Sequence, residues 1–339
     1  MKMWVIVFML LFLTACAPKP ALDNDTITKI DLATEKGIAY LESAYQSGTY
    51  ADNYLTFVYP GEHLACPLST PCNVTYRLLD AYFDVYFLEQ AMPNLKGMEQ
   101  QRKDAHAIVE GIAKQWEKER INNVITSSSD PGGVALDTYC IIGFITKDKA
   151  MADTARSYLT NDDDWMQNDY YISDAWRNIA DESWCMRHFI AVRLDKELEI
   201  RLIRKMINNT NEFIRDQNRT DLDKLSVIYH AIYVLNDYEN AYKDLQFHQQ
   251  KLSYADFISN FSSKNLAGNA LMVSNILDVM VASHYDNPAA LDEIAQNVLN
   301  AQETQGYWKI STDFPANEGQ VFTTFRALIG LNEYKKTLT

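Results

Sequence analysis

Helical apolar spacing recurs along nearly the whole chain, and it alternates in character from one segment to the next. Segments near 29–46, 74–92, 97–118, 133–146, 148–160, 180–193, 195–216, 222–236, 239–259, 265–284, 288–303 and 319–333 read as helices, while strand signals are scarce. The odd-numbered segments carry a charged face, as in KELEIRLIRKMINNTNEFIRDQ at 196–217. The even-numbered ones are more apolar and aromatic, as in ESWCMRHFIAV at 182–192 and VFTTFRALIGL at 321–331. A helix with one charged face is solvated on that side, whereas a helix apolar nearly all round must be enclosed. Twelve helices alternating in this way predict an all-α fold of six hairpins, with the apolar helices inside and the charged ones outside. Closing the array gives an α/α toroid, and leaving it open gives a helical solenoid; both satisfy the alternation. The breaks have clear chemistry. SSSDPGG at 127–133 ends one segment, and Asp286-Asn287-Pro288 opens another with Asn287 as cap and Pro288 in the first turn.

The N-terminus reads differently. Lys2 precedes an apolar run, Trp4 to Leu13, that is too short to span a bilayer. The run ends in Leu13-Thr14-Ala15-Cys16, which resembles the lipobox of prokaryotic lipoproteins. That resemblance implies that residues 1–15 are a signal peptide and that Cys16 carries the lipid. Residues 16–28 then form a flexible tether, and 29–339 a single helical domain. It also implies an extracytoplasmic protein held on a cell membrane or outer membrane. No later segment approaches the ~20 apolar residues of a membrane span. A formal net charge of −14 argues against nucleic acid and against an electrostatic hold on anionic lipid. Outside the cytoplasm, Cys66 and Cys72 in ACPLSTPC read as a disulfide closing a proline-rich loop. Cys140 and Cys185, on neighbouring inner helices, are open to three readings: buried thiols, a disulfide, or metal ligands.

Near the C-terminus, QETQGYW places Gln302, Gly306 and Trp308 between two helices. Gly306 can take positive φ past a helix end, and Trp308 can cover the exposed turn. This Gln-x-x-x-Gly-x-Trp pattern resembles the repeat motif of the squalene cyclase and protein prenyltransferase superfamily, whose fold is an α/α toroid. The resemblance implies that the glutamine braces the turn, the glycine lets the chain reverse, and the tryptophan stacks on the bracing amide. Weaker copies lie at ATEKGIAYLESAYQSGTY (33–50) and ADTARSYLTNDDDWM (152–166). The motif is structural and carries no reaction.

Chemistry is sparse. The acid motif of the cyclases, Asp-x-Asp-Asp, is not intact: Asn161-Asp162-Asp163-Asp164 has asparagine first and lies in a turn. Protein prenyltransferases hold zinc with Asp, Cys and His, and Asp181, Cys185 and His188 share one helical face here. The family draws those ligands from separated parts of its chain, so zinc is a minority expectation and otherwise no cofactor is expected. Carboxylates recur at the starts of inner segments, at Asp137, Asp181, Glu182, Asp223 and Glu318. They suit the helix dipole as well as they suit acid–base work on a sugar. Aromatic and hydrogen-bonding side chains on the inner segments are the candidate cavity lining: Tyr76, Arg77, Tyr139, Trp184, His188, Tyr229, His230, Asn269 and Arg326, with Asp137 and Glu182 at the rim. There is no P-loop, dinucleotide fingerprint, His-Glu-x-x-His or Gly-x-Ser-x-Gly. The expectation is therefore a lipid-anchored binding protein with an envelope glycan, lipid or peptide in its cavity. An enzyme using rim carboxylates or zinc, and a lipoprotein that docks a protein partner, are the alternatives.

Overall fold

A computed structural model describes residues 24–44, 103, 140–141, 143–161, 175–265, 268–311 and 320–339. Nine helices are bounded among these residues: α1 (Asn24–Ala44), α2 (Lys149–Asn161), α3 (Ala175–Val192), α4 (Lys196–Arg215), α5 (Asp221–Tyr242), α6 (His248–Asn265), α7 (Ala270–Ala282), α8 (Pro288–Asn300) and α9 (Gln320–Leu338). Residues 140–141 and 143–146 are helical as well. The described part is all-helical; its one extended pairing is an isolated bridge between Gln302 and Trp308. None of its helices is long and apolar enough to cross a membrane. The expected tether stops short of residue 28, because α1 already starts at Asn24.

Local chemistry starts several of these helices. Asp195 accepts hydrogen bonds from the N–H groups of Glu197 and Leu198 to open α4, and its own N–H donates to Glu199 Oε1. Thr220 and Asp223 form a reciprocal capping box at α5. Asn269 caps α7, and Asn287 with Pro288 opens α8 as the sequence predicts. One expected break is absent. The sequence reading ends one helix at 236 and opens the next at 239, yet α5 continues to Tyr242. Asp237 is held inside by Arg187, and Tyr238 is fully buried, so the turn falls instead at 243–247.

The apolar helices α3, α5, α7 and α9 pack side by side in that order. Contacts between α3 and α5 advance together, Ser183 with His230 and then Arg187 with Asp237, so these two helices run parallel. The more charged α4 packs on α3 and α5, α6 on α5 and α7, and α8 on α7 and α9. Burial on α4 falls at Leu198, Ile203, Met206, Thr210 and Phe213, the 3–4 residue spacing of a one-sided helix. On α9 nearly every residue from Thr323 to Leu331 is buried.

α1 joins this array at its far end, against α8 and α9. Thr26 lies beside Asp292 and Gln296 near the start of α8, whereas Ala33 and Lys36 meet the 302–306 turn beyond its end. α1 therefore runs parallel to α8 and antiparallel to α9. Gln302 clasps this seam. Its Nε2 donates to the Gly306 carbonyl (2.9 Å), bracing its own turn, and to the Ala33 carbonyl of α1 (2.8 Å). Gly306 has φ +96°, and its missing side chain is what lets the Lys36 backbone approach. Trp308 is fully buried, donates through Nε1 to the Val298 carbonyl (2.7 Å) and touches the space left by Gly37.

The turns that lead from each apolar helix to the next charged one share a backbone signature. Lys147, Arg193, Lys243 and His284 have φ between 49° and 53°, and they are the only non-glycine residues with positive φ among those described. A side chain in this conformation costs about 1–2 kcal/mol. A cation at a helix C-terminus returns only about 0.3–1 kcal/mol through the dipole. Glycine is the usual solution at this position, and the chain declines it four times.

Candidate functional site

Parallel packing of α3, α5, α7 and α9 brings their polar residues into one internal cluster. Arg326 of α9, only 1% exposed, donates through Nε to Asn275 Oδ1 (2.6 Å) and through a terminal nitrogen to Asp278 Oδ2 (3.1 Å), both on α7. The same guanidinium meets the Tyr233 hydroxyl of α5, which donates to Asp278. Tyr233 in turn lies under Arg187 of α3, whose guanidinium carbon is 4.7 Å from its ring centroid, 4.5 Å from that of Trp184 and 4.7 Å from that of Phe144. Arg187 Nε donates to Asp237 (2.6 Å). Tyr229 stands edge-on to Tyr233 and to His230, at centroid distances of 4.8 and 4.7 Å. His230 Nδ1 is 3.1 Å from the Ser183 hydroxyl.

The electrostatics follow from burial. Desolvation first, then Arg187 and Arg326, push the His230 pKa down to about 3, so this imidazole is neutral at physiological pH. Burial raises Tyr233 well above the ordinary tyrosine range. Burial alone would favour loss of the Arg326 charge, but the oxygens of Tyr233, Tyr229 and Asp278 more than offset it and hold that charge more firmly than usual. The cluster is thus two fixed cations, two carboxylates that each engage one of them, and a set of aromatic faces. Tyr229 and Tyr233 remain partly exposed, whereas Ser183 is fully buried and out of reach as a nucleophile. One turn beyond Tyr233, Asn236 is 5% exposed and neither of its amide atoms has a partner among the described residues.

Of the residues proposed from sequence, Tyr229, His230 and Arg326 meet here; Trp184 joins them through Arg187. His188 does not. Its Nε2 sits 2.8 Å from the Asp148 carbonyl, and its ring fills the space over Gly143, so it is a packing residue at the α3–α2 contact. Asn269 is also elsewhere, capping α7 at a cleft of about 420 Å³ lined by Asn297, Asn300, Gln302, Glu303 and Lys309. Asp223 is spent as a cap. Sequence reasoning missed Tyr233, Arg187, Asn275 and Asp278. The signal for the tyrosine was present, since Tyr229 and Tyr233 are one turn apart on α5.

Cys140 and Cys185 form a disulfide, with sulfurs 2.02 Å apart. This corrects the zinc triad: an oxidised Cys185 has no thiolate to give, and His188 is turned to a carbonyl. Among the described residues no three His, Cys, Asp or Glu side chains converge as a metal site. The side chains of Asp181 and Glu182 lie outside the described residues, as do Cys16, Cys66, Cys72, Tyr76, Arg77, Asp137, Tyr139, Asp162 to Asp164 and Glu318. Comparison with known proteins finds no family model, no curated protein and no solved structure that matches this chain. The likenesses to lipoproteins and to the cyclase–prenyltransferase superfamily therefore rest on the quoted residues alone.

Proposed function

We propose that this chain is a lipid-anchored, extracytoplasmic binding protein, built as a closed α/α ring, that holds a segment of envelope glycan against its inner helices. The observation that carries the reading is the cluster on α3, α5, α7 and α9: partly exposed tyrosine faces beside charged groups that are already fixed by one another. Tyrosine faces stack on sugar rings, and immobilised guanidinium, carboxylate and amide groups offer hydroxyl groups a preorganised set of partners. Both carboxylates are engaged by a guanidinium, Asp237 by Arg187 and Asp278 by Arg326. That arrangement suits recognition better than hydrolysis, which needs one carboxyl group as a proton donor and another across the scissile bond. Ring closure is supported by the seat of α1 against α8 and α9, where an open solenoid would leave its last pair exposed.

The test is calorimetric titration of the purified chain with soluble fragments of peptidoglycan and of other envelope polysaccharides. Binding that falls at least about tenfold in Tyr229→Ala, the loss of one stacking face, with an unchanged melting temperature, supports the reading. If no fragment binds, or if Tyr229→Ala binds as well as the parent, the cluster is a structural core and the proposal fails.

A further inference from the structure

Along α5, the positions between 225 and 240 that are not buried are Ser226, Tyr229, His230, Tyr233, Asp237 and Asn240. Their spacing of three and four residues draws one accessible stripe down an otherwise enclosed helix. The stripe lies on the side of α5 that meets α7 and α3, where Tyr233 engages Asp278 and Asp237 engages Arg187. Its C-terminal end opens into a cavity of about 290 Å³, lined in part by Phe144, Ile190, Asp237, Asn240 and Ala241. This cavity adjoins the cluster directly, since Phe144 lies under the Arg187 guanidinium and Asp237 accepts from it.

Asn236 stands at the edge of that stripe, three residues after Tyr233 and four before Asn240. It is 5% exposed, and neither Oδ1 nor Nδ2 has a hydrogen-bond partner among the described residues. Glu199, Glu239 and His188 also leave a buried side-chain atom unmatched, but each spends its other polar atom on the protein. Asn236 alone among the described residues leaves a donor and an acceptor unmatched together. The other deeply buried asparagine described, Asn275, is spent on Arg326. A buried carboxamide without partners destabilises the fold, and an apolar side chain of the same size would not. Its position beside tyrosine faces and a cavity points to a ligand that supplies the missing partners.

We infer that Asn236 is the specificity-determining residue of this site, and that it reads the acetamido group of an N-acetylated hexosamine. A carboxamide is a neutral donor and acceptor at once. The acetamido carbonyl accepts from Nδ2, and a hydroxyl on the neighbouring ring carbon donates to Oδ1. Depth selects the substituent. A ring stacked on Tyr229 or Tyr233 reaches an amide set behind those faces only through an arm that projects from the ring. A 2-hydroxyl is too short, whereas the acetamido arm carries its carbonyl outward and leaves its methyl to the apolar wall of Phe144, Ile190 and Ala241. The nearby carboxylates do not compete for this role, because Arg187 holds Asp237 and Arg326 holds Asp278. The inference rests on the glycan reading above and narrows it to one class of sugar; a plain hexose polymer would satisfy that reading and not this one.

The purified chain is titrated calorimetrically with two soluble β-1,4 tetrasaccharides, one of N-acetylglucosamine and one of glucose, which differ only in the 2-substituent. The acetylated one is expected to bind at least about tenfold more tightly, because the glucose polymer leaves the buried amide unmatched. Asn236→Leu should bring that ratio to about one while melting at or above the temperature of the parent. Asn236→Ser, smaller and still polar, should also lose the preference, and it serves if the leucine variant does not fold. Tyr229→Ala should weaken both tetrasaccharides alike. Equal binding of the two by the parent, a preference that survives in a folded Asn236 variant, or binding confined to glycans without acetamido groups overturns the assignment and leaves the glycan reading standing. If no glycan binds, that reading fails, and the assignment of Asn236 with it.

Discussion

Replacing Gly306 with alanine attacks the seam between the two ends of the described fold. A Cβ at this position would stand 2.3 Å from the Lys36 carbonyl oxygen and 2.8 Å from its carbon, and these are backbone atoms that cannot swing aside. The φ of +96° adds its own penalty. Conformational strain of about 1–2 kcal/mol and overpacking of about 1–3 kcal/mol together predict a loss of about 2–5 kcal/mol. For a chain this long each kcal/mol lowers Tm by about 2 °C, so the shift should be about 4–10 °C. Gly37→Ala is the matched control. Its Cβ meets the buried side chains of Leu328 (Cδ2, 3.0 Å) and Trp308 (Cζ3, 3.1 Å) and no backbone, and it gains helix propensity, so a smaller loss than in Gly306→Ala is expected. Thermal unfolding followed by circular dichroism gives the magnitude, and native-state hydrogen exchange gives the place: amides of α1 should open first, with α5 unaffected. A Gly306→Ala protein that melts within a degree of the parent, with α1 protected as before, would refute the claim that this turn clasps α1.

Gly143→Ala should also destabilise, by about 1–3 kcal/mol, because its Cβ would fall 2.0 Å from His188 Cε1; His188→Ala should rescue part of that loss, and additive effects in chemical denaturation would count against the contact. Lys251 and Glu239 are paired at 2.5 Å and both nearly fully buried, so Lys251→Ala strands a buried carboxylate and should cost about 3–5 kcal/mol, against a smaller loss in Lys251→Met with Glu239→Gln. The Cys140–Cys185 disulfide closes a loop across a separation of 45 residues, and its removal should cost about 4 kcal/mol on chain-entropy grounds; alkylation followed by intact mass should find neither thiol free. Stability should fall as pH drops from about 6.5 to about 3, because the unfolded chain takes up a proton at residue 230 that the folded His230, with its pKa lowered to about 3, refuses. His230→Gln should flatten that slope in a pH series of melts, and an unchanged slope would remove His230 from the account.

Much of this architecture was readable because it rests on periodicity and caps. The alternation of KELEIRLIRKMINN with VFTTFRALIGL is the difference between a helix solvated on one side and one enclosed, and α4 and α9 bury their residues accordingly. Asn287-Pro288 announces α8 by local chemistry alone. The failures share a different cause. The expected break between 236 and 239 is absent, because an arginine 50 positions from Asp237 takes that aspartate and the helix runs on. Cys185 and His188 lie on one helical face, yet their partners, Cys140 and the Asp148 carbonyl, are set by packing that no local spacing reveals. The cluster draws on four helices, so Tyr229, His230 and Arg326 could be named one by one from sequence, but not their meeting with Arg187, Tyr233, Asn275 and Asp278.

That cluster also bears on why the interior is polar at all. A buried ion pair seldom outperforms well-packed apolar residues of the same volume, since desolvation of both charges offsets most of their attraction. Here the chain buries two arginines, an aspartate and two asparagines, with a half-buried aspartate and histidine beside them, among helices otherwise rich in Ile, Leu, Val and Phe. If the cluster served only to hold α3, α5, α7 and α9 together, replacing Arg326, Asp278 and Asn275 jointly by Met, Leu and Leu should leave stability unchanged or raise it by about 1–4 kcal/mol. Ligand binding should vanish in the same variant. A joint replacement that unfolds the protein would place the cluster among the determinants of the fold, whereas a stable variant that has lost only its ligand would show that the polar interior is kept for recognition.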